Sequence, residues 1–86
     1  MEEPQEYCCP ITHTLMKEPV IDNQGISYEK DAIEEWLNLG NTISPITNMS
    51  LIKSDLRPNI NLKNIIELYM IGNTLTITDY IKLIKE

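Results

Sequence analysis

Phenylalanine is absent from this chain of 86 residues, and cysteine and histidine are scarce, at two and one. The two cysteines, Cys8 and Cys9, are neighbours. Adjacent residues do not readily reach disulfide geometry, and small secreted domains carry several spaced cysteines. The expected compartment is therefore a reducing one, cytosol or nucleus. A closed structural zinc site takes four ligands from two separated pairs. Cys8, Cys9 and His13 are too few and too close together for that, so neither a metal nor a cofactor is expected. Positive charge is also short. Lys and Arg number 7 against 13 Asp and Glu, a net charge of −6. Nucleic acid and anionic membrane surfaces both call for a basic face, so neither is expected as a partner. No apolar run approaches the roughly 18 residues that suggest a membrane span. The opening MEEPQEY is acidic and polar, unlike a secretory signal.

What is present fits one small globular domain. Hydrophobic residues make up 42% of the chain, too many for a disordered segment. A chain this short buries only about 60% of its unfolded surface, so the core must be small. Residues 1–6 read as a loose lead-in, and residues from Cys9 to Lys17 show no clear period and read as a loop. Glu18 to Ile21 reads as a short strand, Asp22-Asn23-Gln24-Gly25 as a turn, and Ile26 to Tyr28 as a second strand, together a β-hairpin. A helix follows from about Glu29 to Leu39. Its apolar stripe is Ile33, Trp36 and Leu37, its opposite face is acidic, and Gly40-Asn41 ends it.

Thr42 to Leu51 is a second loop, built round Ser44-Pro45 and Thr47-Asn48. Asn59 or Asn61 caps another helix carrying Leu62, Ile65, Ile66 and Tyr69, which ends at Gly72-Asn73. A last amphipathic stretch has Ile77, Tyr80, Ile81 and Ile84 on one face, with Thr76 and Asp79 as a capping box. That face should be covered, either by the domain itself or in a homodimer through 77–84. The expected division is lead-in 1–6, domain 7–71 and helical extension 72–86, with an α+β plan. No internal repeat and no low-complexity tract is read. Two long loops in so small a domain are uncommon unless functional or held by something.

Catalytic chemistry of the chain's own finds little support. Cys8 or Cys9 with His13 as base lacks a third, orienting group. Cys9 beside Pro10 reads as a half-buried small hydrophobe and Cys8 as exposed. Glu34 and Glu35 are adjacent on a helix and point apart, which makes them a solvated face. There is no glycine-rich phosphate loop. A shallow docking groove is the remaining candidate, with Ile11, His13 and Leu15 in the first loop, Pro45 and Ile46 in the second, and Trp36 on the helix between.

Those residues recur in a familiar order: Cys9-Pro10-Ile11-Thr12, Leu15 to Val20, Gly25 to Lys30, Ile33 to Leu37, Ser44-Pro45-Ile46-Thr47, Leu56 to Asn59, and Leu62 to Ile66. From about Tyr7 to Met70 the chain resembles a U-box, the metal-free relative of the RING finger. The resemblance implies a small RING-like fold without zinc. It also implies a ubiquitin ligase module that docks a ubiquitin-conjugating enzyme loaded with ubiquitin. Transfer to a protein lysine then proceeds without a covalent intermediate on the domain, by orientation alone. By position, Ile11, His13, Trp36, Pro45, Ile46 and Ser50 match the conjugating-enzyme contact. Glu18, Lys30, Ser44 and Asn59 are candidates for the polar ties that replace zinc.

Three positions depart from the family's pattern. Ser44 stands where many members have cysteine, Ser50 where a proline often stands, and Asn48 where active members usually carry a basic residue. Asn48 is the candidate for positioning ubiquitin. Asparagine keeps two donors but lacks the charge and reach of arginine. Two readings follow: a ligase module of reduced activity, or a U-box fold kept as a substrate- or scaffold-binding module. The residues name neither substrate nor source. A bacterium has no ubiquitin of its own, so a bacterial source would place the site of action in a host cell.

Overall fold

Val20 and Tyr28 are opposed across a short antiparallel pair that seeds the core of residues 3–74, the part of the chain described by the computed structural model. Strand β1 is Pro19–Ile21 and β2 is Ser27–Glu29. The hairpin forms where expected. Its turn is held by Asp22, whose Oδ1 accepts N–H bonds from Gln24 at 2.8 Å and Ile26 at 3.0 Å. Gly25 has φ 82°, a conformation that a Cβ would strain.

Helix α1 is Lys30–Asn38, and Gly40 at φ 101° lets the chain leave it. A third strand, β3, Arg57–Pro58, pairs with β1 to give the sheet order β2-β1-β3. Only two residues long and half proline, it carries no period to read. Pro58 is tolerated because β3 is an edge strand.

Asn59 joins sheet and helix. Its N–H donates to the Pro19 carbonyl at 2.8 Å, and its Nδ2 donates to Ser27 Oγ at 3.1 Å. Its Oδ1 accepts from Leu62 N–H at 3.2 Å, so it caps α2, Ile60–Thr74. That helix runs through Gly72 and Asn73 to Thr74. Glycine lowers helix propensity by only about 1 kcal/mol, which does not by itself stop a helix. The terminal face 77–84 lies outside the described residues.

The buried apolar core is Cys9, Met16, Val20, Tyr28, Ile33, Leu51 and Ile66, with Leu37, Leu56 and Leu62 packed against it. Three residues differ from their expected burial, Ile65 having been expected in the core. Ile65 is 46% exposed, because its neighbour Ile66 takes the inward position on α2. Cys9 is fully buried rather than half-buried, and Cys8 is half-buried rather than exposed. Gln5–Tyr7 form a 3-10 turn over this region, and Tyr7 meets Tyr69 edge-on at 5.4 Å between ring centres.

Candidate functional site

The two loops, residues 8–15 and 43–50, are copies of one device. In each, the first and last residues pair as an isolated bridge, Cys8 with Leu15 and Ile43 with Ser50. The second residue, Cys9 or Ser44, then closes the loop on itself. Cys9 N–H donates to the Thr14 carbonyl at 2.9 Å, and Ser44 N–H to the Met49 carbonyl at 2.8 Å. The Cys9 carbonyl accepts from His13 at 2.7 Å, and the Ser44 carbonyl from Asn48 at 3.0 Å. Cys9 Sγ accepts from Ile11 N–H at 3.4 Å, and Ser44 Oγ from Ile46 N–H at 3.1 Å.

His13 and Asn48 are both left-handed, at φ 59° and 61°. The sequences align as Cys9-Pro10-Ile11-Thr12-His13 and Ser44-Pro45-Ile46-Thr47-Asn48. A short internal repeat is therefore present, contrary to the sequence reading. It is inconspicuous because only Pro-Ile-Thr is identical, and the rest is shared backbone geometry.

Both copies hang from consecutive residues of β2. Cys9 Sγ accepts a second N–H bond from Glu29 at 3.2 Å. Ser44 Oγ lies 2.7 Å from Tyr28 Oη, which donates to Asp22 Oδ2 at 2.8 Å. With that donation fixed, the Ser44 hydroxyl donates to Tyr28 while accepting from Ile46 and from Thr47 at 3.2 Å. Among the described residues, Asp22 and Ser44 are the two buried polar residues, and both are satisfied. Burial, with the Asp22 contact reinforcing it against the opposing Ser44 bond, pushes the Tyr28 phenol up to about 12.

Helix α1 is tied to the second loop. Trp36 is half-buried against the core, and its Nε1 donates to the Ile43 carbonyl at 2.7 Å, binding the helix to the second loop. Ile11 is likewise half-buried and touches the core, so it belongs partly to core and partly to surface. Pro45 is half-buried, Ile46 is 45% exposed, and His13, Asn48 and Ser50 are exposed.

Ile46 shares the wall of a cavity of about 350 Å³ with Pro10 of the first loop and Gly25 and Ile26 of the turn. His13 lines a different cavity, of about 480 Å³, with Gln5, Glu6, Cys8, Cys9 and Pro10. Of these two cavities, Ile46 lines the first and His13 the second.

The expected polar ties fall in different places. Ser44 anchors the second loop, and Asn59 ties the sheet to α2. Glu18 pairs with Lys63 at 3.0 Å on the exposed outside of the domain. An exposed pair of this kind contributes little stability. Lys30 gives its backbone N–H to the Glu18 carbonyl, and its side chain is exposed.

Four anchoring residues escaped the sequence reading: Asp22, Tyr28, Cys9 and Glu29. The Glu29 carboxylate accepts from Lys17 N–H at 3.1 Å and Glu18 N–H at 2.8 Å, fixing the end of the first loop. Asp22 carried a local signal, being turn chemistry, but its second oxygen serves a distant tyrosine. Tyr28 was expected in the core, but its bonds and those of Cys9 reach distant partners, which spacing does not show.

Among the described residues no group of three or more His, Cys, Asp or Glu is placed to hold a metal ion. The Cys8 thiol is pushed up by burial and by Glu3, Cys9 and Glu6. A nucleophilic cysteine needs the opposite shift.

The family profile described as the U-box domain matches residues 3–74. The chain is 50% identical over 60 residues to the WD repeat, SAM and U-box domain-containing protein 1 of Homo sapiens, covering 70% of this chain and 13% of that protein. It is 44% identical over 64 residues to the U-box domain-containing protein 21 of Arabidopsis thaliana, covering 74% of this chain and 15% of the relative. It is 41% identical over 68 residues to the E3 ubiquitin-protein ligase PUB23 of Arabidopsis thaliana, covering 78% of this chain and 16% of the relative.

Proposed function

We propose, from the premise that the chain belongs to the U-box family, that it acts as a ubiquitin ligase module. It docks a ubiquitin-conjugating enzyme loaded with ubiquitin on the face made by the two loops and α1, and it promotes transfer to a protein lysine. The observation that carries this reading is the duplicated loop. One device presents Ile11 and Ile46 at equivalent positions, each with its backbone N–H held by the buried side chain two residues before it. A rigid pair of apolar tips beside Trp36 suits an interface with a small apolar centre.

Mechanistically, the domain contributes orientation. Holding the loaded enzyme and ubiquitin in an attack-ready arrangement removes entropy from the transfer step, and no covalent bond to this chain is required. The raised Cys8 pKa agrees with such a mechanism. Asn48, exposed at the end of the second loop device, is the residue assigned to contact ubiquitin. Its left-handed backbone supplies a conformational reason for asparagine, which tolerates that region better than most residues. Asparagine here is therefore not in itself a sign of lost activity. The reducing compartment inferred from Cys8 and Cys9, cytosol or nucleus, is where such a partner would be met.

An autoubiquitination assay with a panel of conjugating enzymes tests the proposal. Ladders with at least one member support it. Docking without ladders across the panel would favour a binding module that has kept the fold.

A further inference from the structure

Charged residues make up 23% of the chain, yet none falls in residues 7–16 or in residues 36–52, the two runs that carry the loops. The formal charge of −6, with His13 neutral, lies wholly outside them. We infer that the docking face selects a conjugating enzyme whose contacting surface carries no ionised side chain opposite Ile11, Thr12, Ile46 and Ser50. The inference rests on the ligase reading and gives that reading its specificity. Asn48, assigned to ubiquitin, stands outside this contact.

Three observations support it. The first is placement. Glu6 and Lys17 bound the first run, and Glu35 and Lys53 bound the second, so charge stops where the loops begin and resumes where they end.

The second is internal pairing. The Thr12 and Thr14 hydroxyls bond to each other at 2.9 Å, and Thr47 Oγ1 accepts the Met49 N–H at 3.2 Å. The tips already spend much of their polar capacity at home, beside the apolar Ile11 and Ile46.

The third concerns the surroundings. The Glu29 carboxylate is occupied by the N–H groups of Lys17 and Glu18. Of the residues lining the two cavities beside the tips, Glu6 alone is ionised, and it belongs to the N-terminal turn rather than to either loop.

A charge on the partner pressed against such a surface loses water and meets no opposite charge. An apolar or hydroxyl-bearing surface suffers no comparable loss. Selection therefore works by rejection of charged competitors as much as by attraction.

The test titrates the full chain calorimetrically with unloaded conjugating enzymes, at about 0.5 M salt to screen distant charges. Thr12 and Ser50 are both exposed, and each is changed in turn to Asp, Lys and Gln, with circular dichroism as the control for folding. For an enzyme that binds wild type, Asp and Lys should both weaken affinity about tenfold or more, and Gln should stay within about threefold. Tighter binding with one sign of charge would reveal a charged partner surface and overturn the inference. So would charged variants that bind as well as Gln, or a Gln variant that loses as much as they do. If no enzyme of the panel binds wild type, the ligase reading falls and this inference with it. Wild-type binding with any of the other contrary results overturns this inference alone.

Discussion

Tyr28 Oη sits 2.7 Å from Ser44 Oγ, and through that contact β2 holds the second loop. The same serine oxygen receives the N–H groups of Ile46 and Thr47. One hydroxyl thus links the core tyrosine to the backbone of an exposed apolar tip, and Asp22 completes the chain from the other side. Such a network stabilises only while every member is satisfied.

Ser44→Ala is expected to cost about 1–3 kcal/mol, because it leaves the part-buried N–H groups of Ile46 and Thr47 without that acceptor and the buried Tyr28 oxygen without its donor. Tyr28→Phe should cost a similar amount, since it withdraws a donor from a buried carboxylate. Urea unfolding of each variant checks the magnitude. The double variant should cost less than the sum of the two, because the residues share one bond.

The phenol gives a pH signature. In the unfolded chain Tyr28 titrates near 10, and in the folded chain at about 12. The folded state therefore holds its proton more tightly. The corresponding stability is fully present below pH 10 and is lost as pH rises toward 12, by on the order of 2 kcal/mol. Unfolding free energies at pH 9 and pH 11.5, compared between wild type and Tyr28→Phe, isolate it. The variant should show a shallower loss.

Asn48 has two separable properties, a left-handed backbone and an uncharged side chain. Asn48→Arg should lower stability by about 1 kcal/mol through the backbone cost, whereas Asn48→Gly should not. If Asn48 contacts ubiquitin, Arg should nevertheless speed discharge per folded molecule, because a charged donor makes the stronger hydrogen bond. Affinity for the unloaded enzyme should stay level. Urea unfolding and single-turnover discharge on the same variants separate the two effects.

Removal of metal should change nothing. The loops are held by Cys9, Ser44, Tyr28, Asp22 and Glu29 through hydrogen bonds. Thermal unfolding with and without a strong chelator should coincide, and a large fall in melting temperature on chelation would require a metal in the folded state.

Local chemistry was legible where it acts locally. Gly25 marked the hairpin turn, Gly40 the end of α1, and the Asn59/Asn61 pair the cap of α2, which the structure assigns to Asn59. The docking residues were legible only as an ordered set resembling a family, since no single one is distinctive. What remained hidden depends on distant partners. Asp22 looked like a turn residue, and Glu29 like the acidic start of a helix. Each is both, and each spends its carboxylate on a segment elsewhere in the chain. Ile65 and Ile66 are adjacent within one broad stripe, and packing alone decides which is buried. The repeat of the loops is written mostly in φ angles at His13 and Asn48, which no residue pattern displays directly.

Ile11 tests the division between core and surface. It packs on the core yet presents a face at the first loop tip. Ile11→Ala should cost some stability, with partial burial limiting the loss to about 1–2 kcal/mol, and should abolish docking. Calorimetric titration of a conjugating enzyme into folded variant, with circular dichroism as the control for folding, gives both numbers.

The most direct measurement is discharge of ubiquitin from a preloaded conjugating enzyme to free lysine, read on non-reducing gels with and without this chain. Wild type should accelerate discharge with at least one enzyme of a panel. Ile11→Ala should return it to the unassisted rate, and Cys8→Ser should leave it unchanged, with no ubiquitin thioester appearing on the chain. A thioester on Cys8 or Cys9 would contradict catalysis by orientation. A discharge rate equal to the unassisted one for every enzyme tested would contradict the ligase assignment itself.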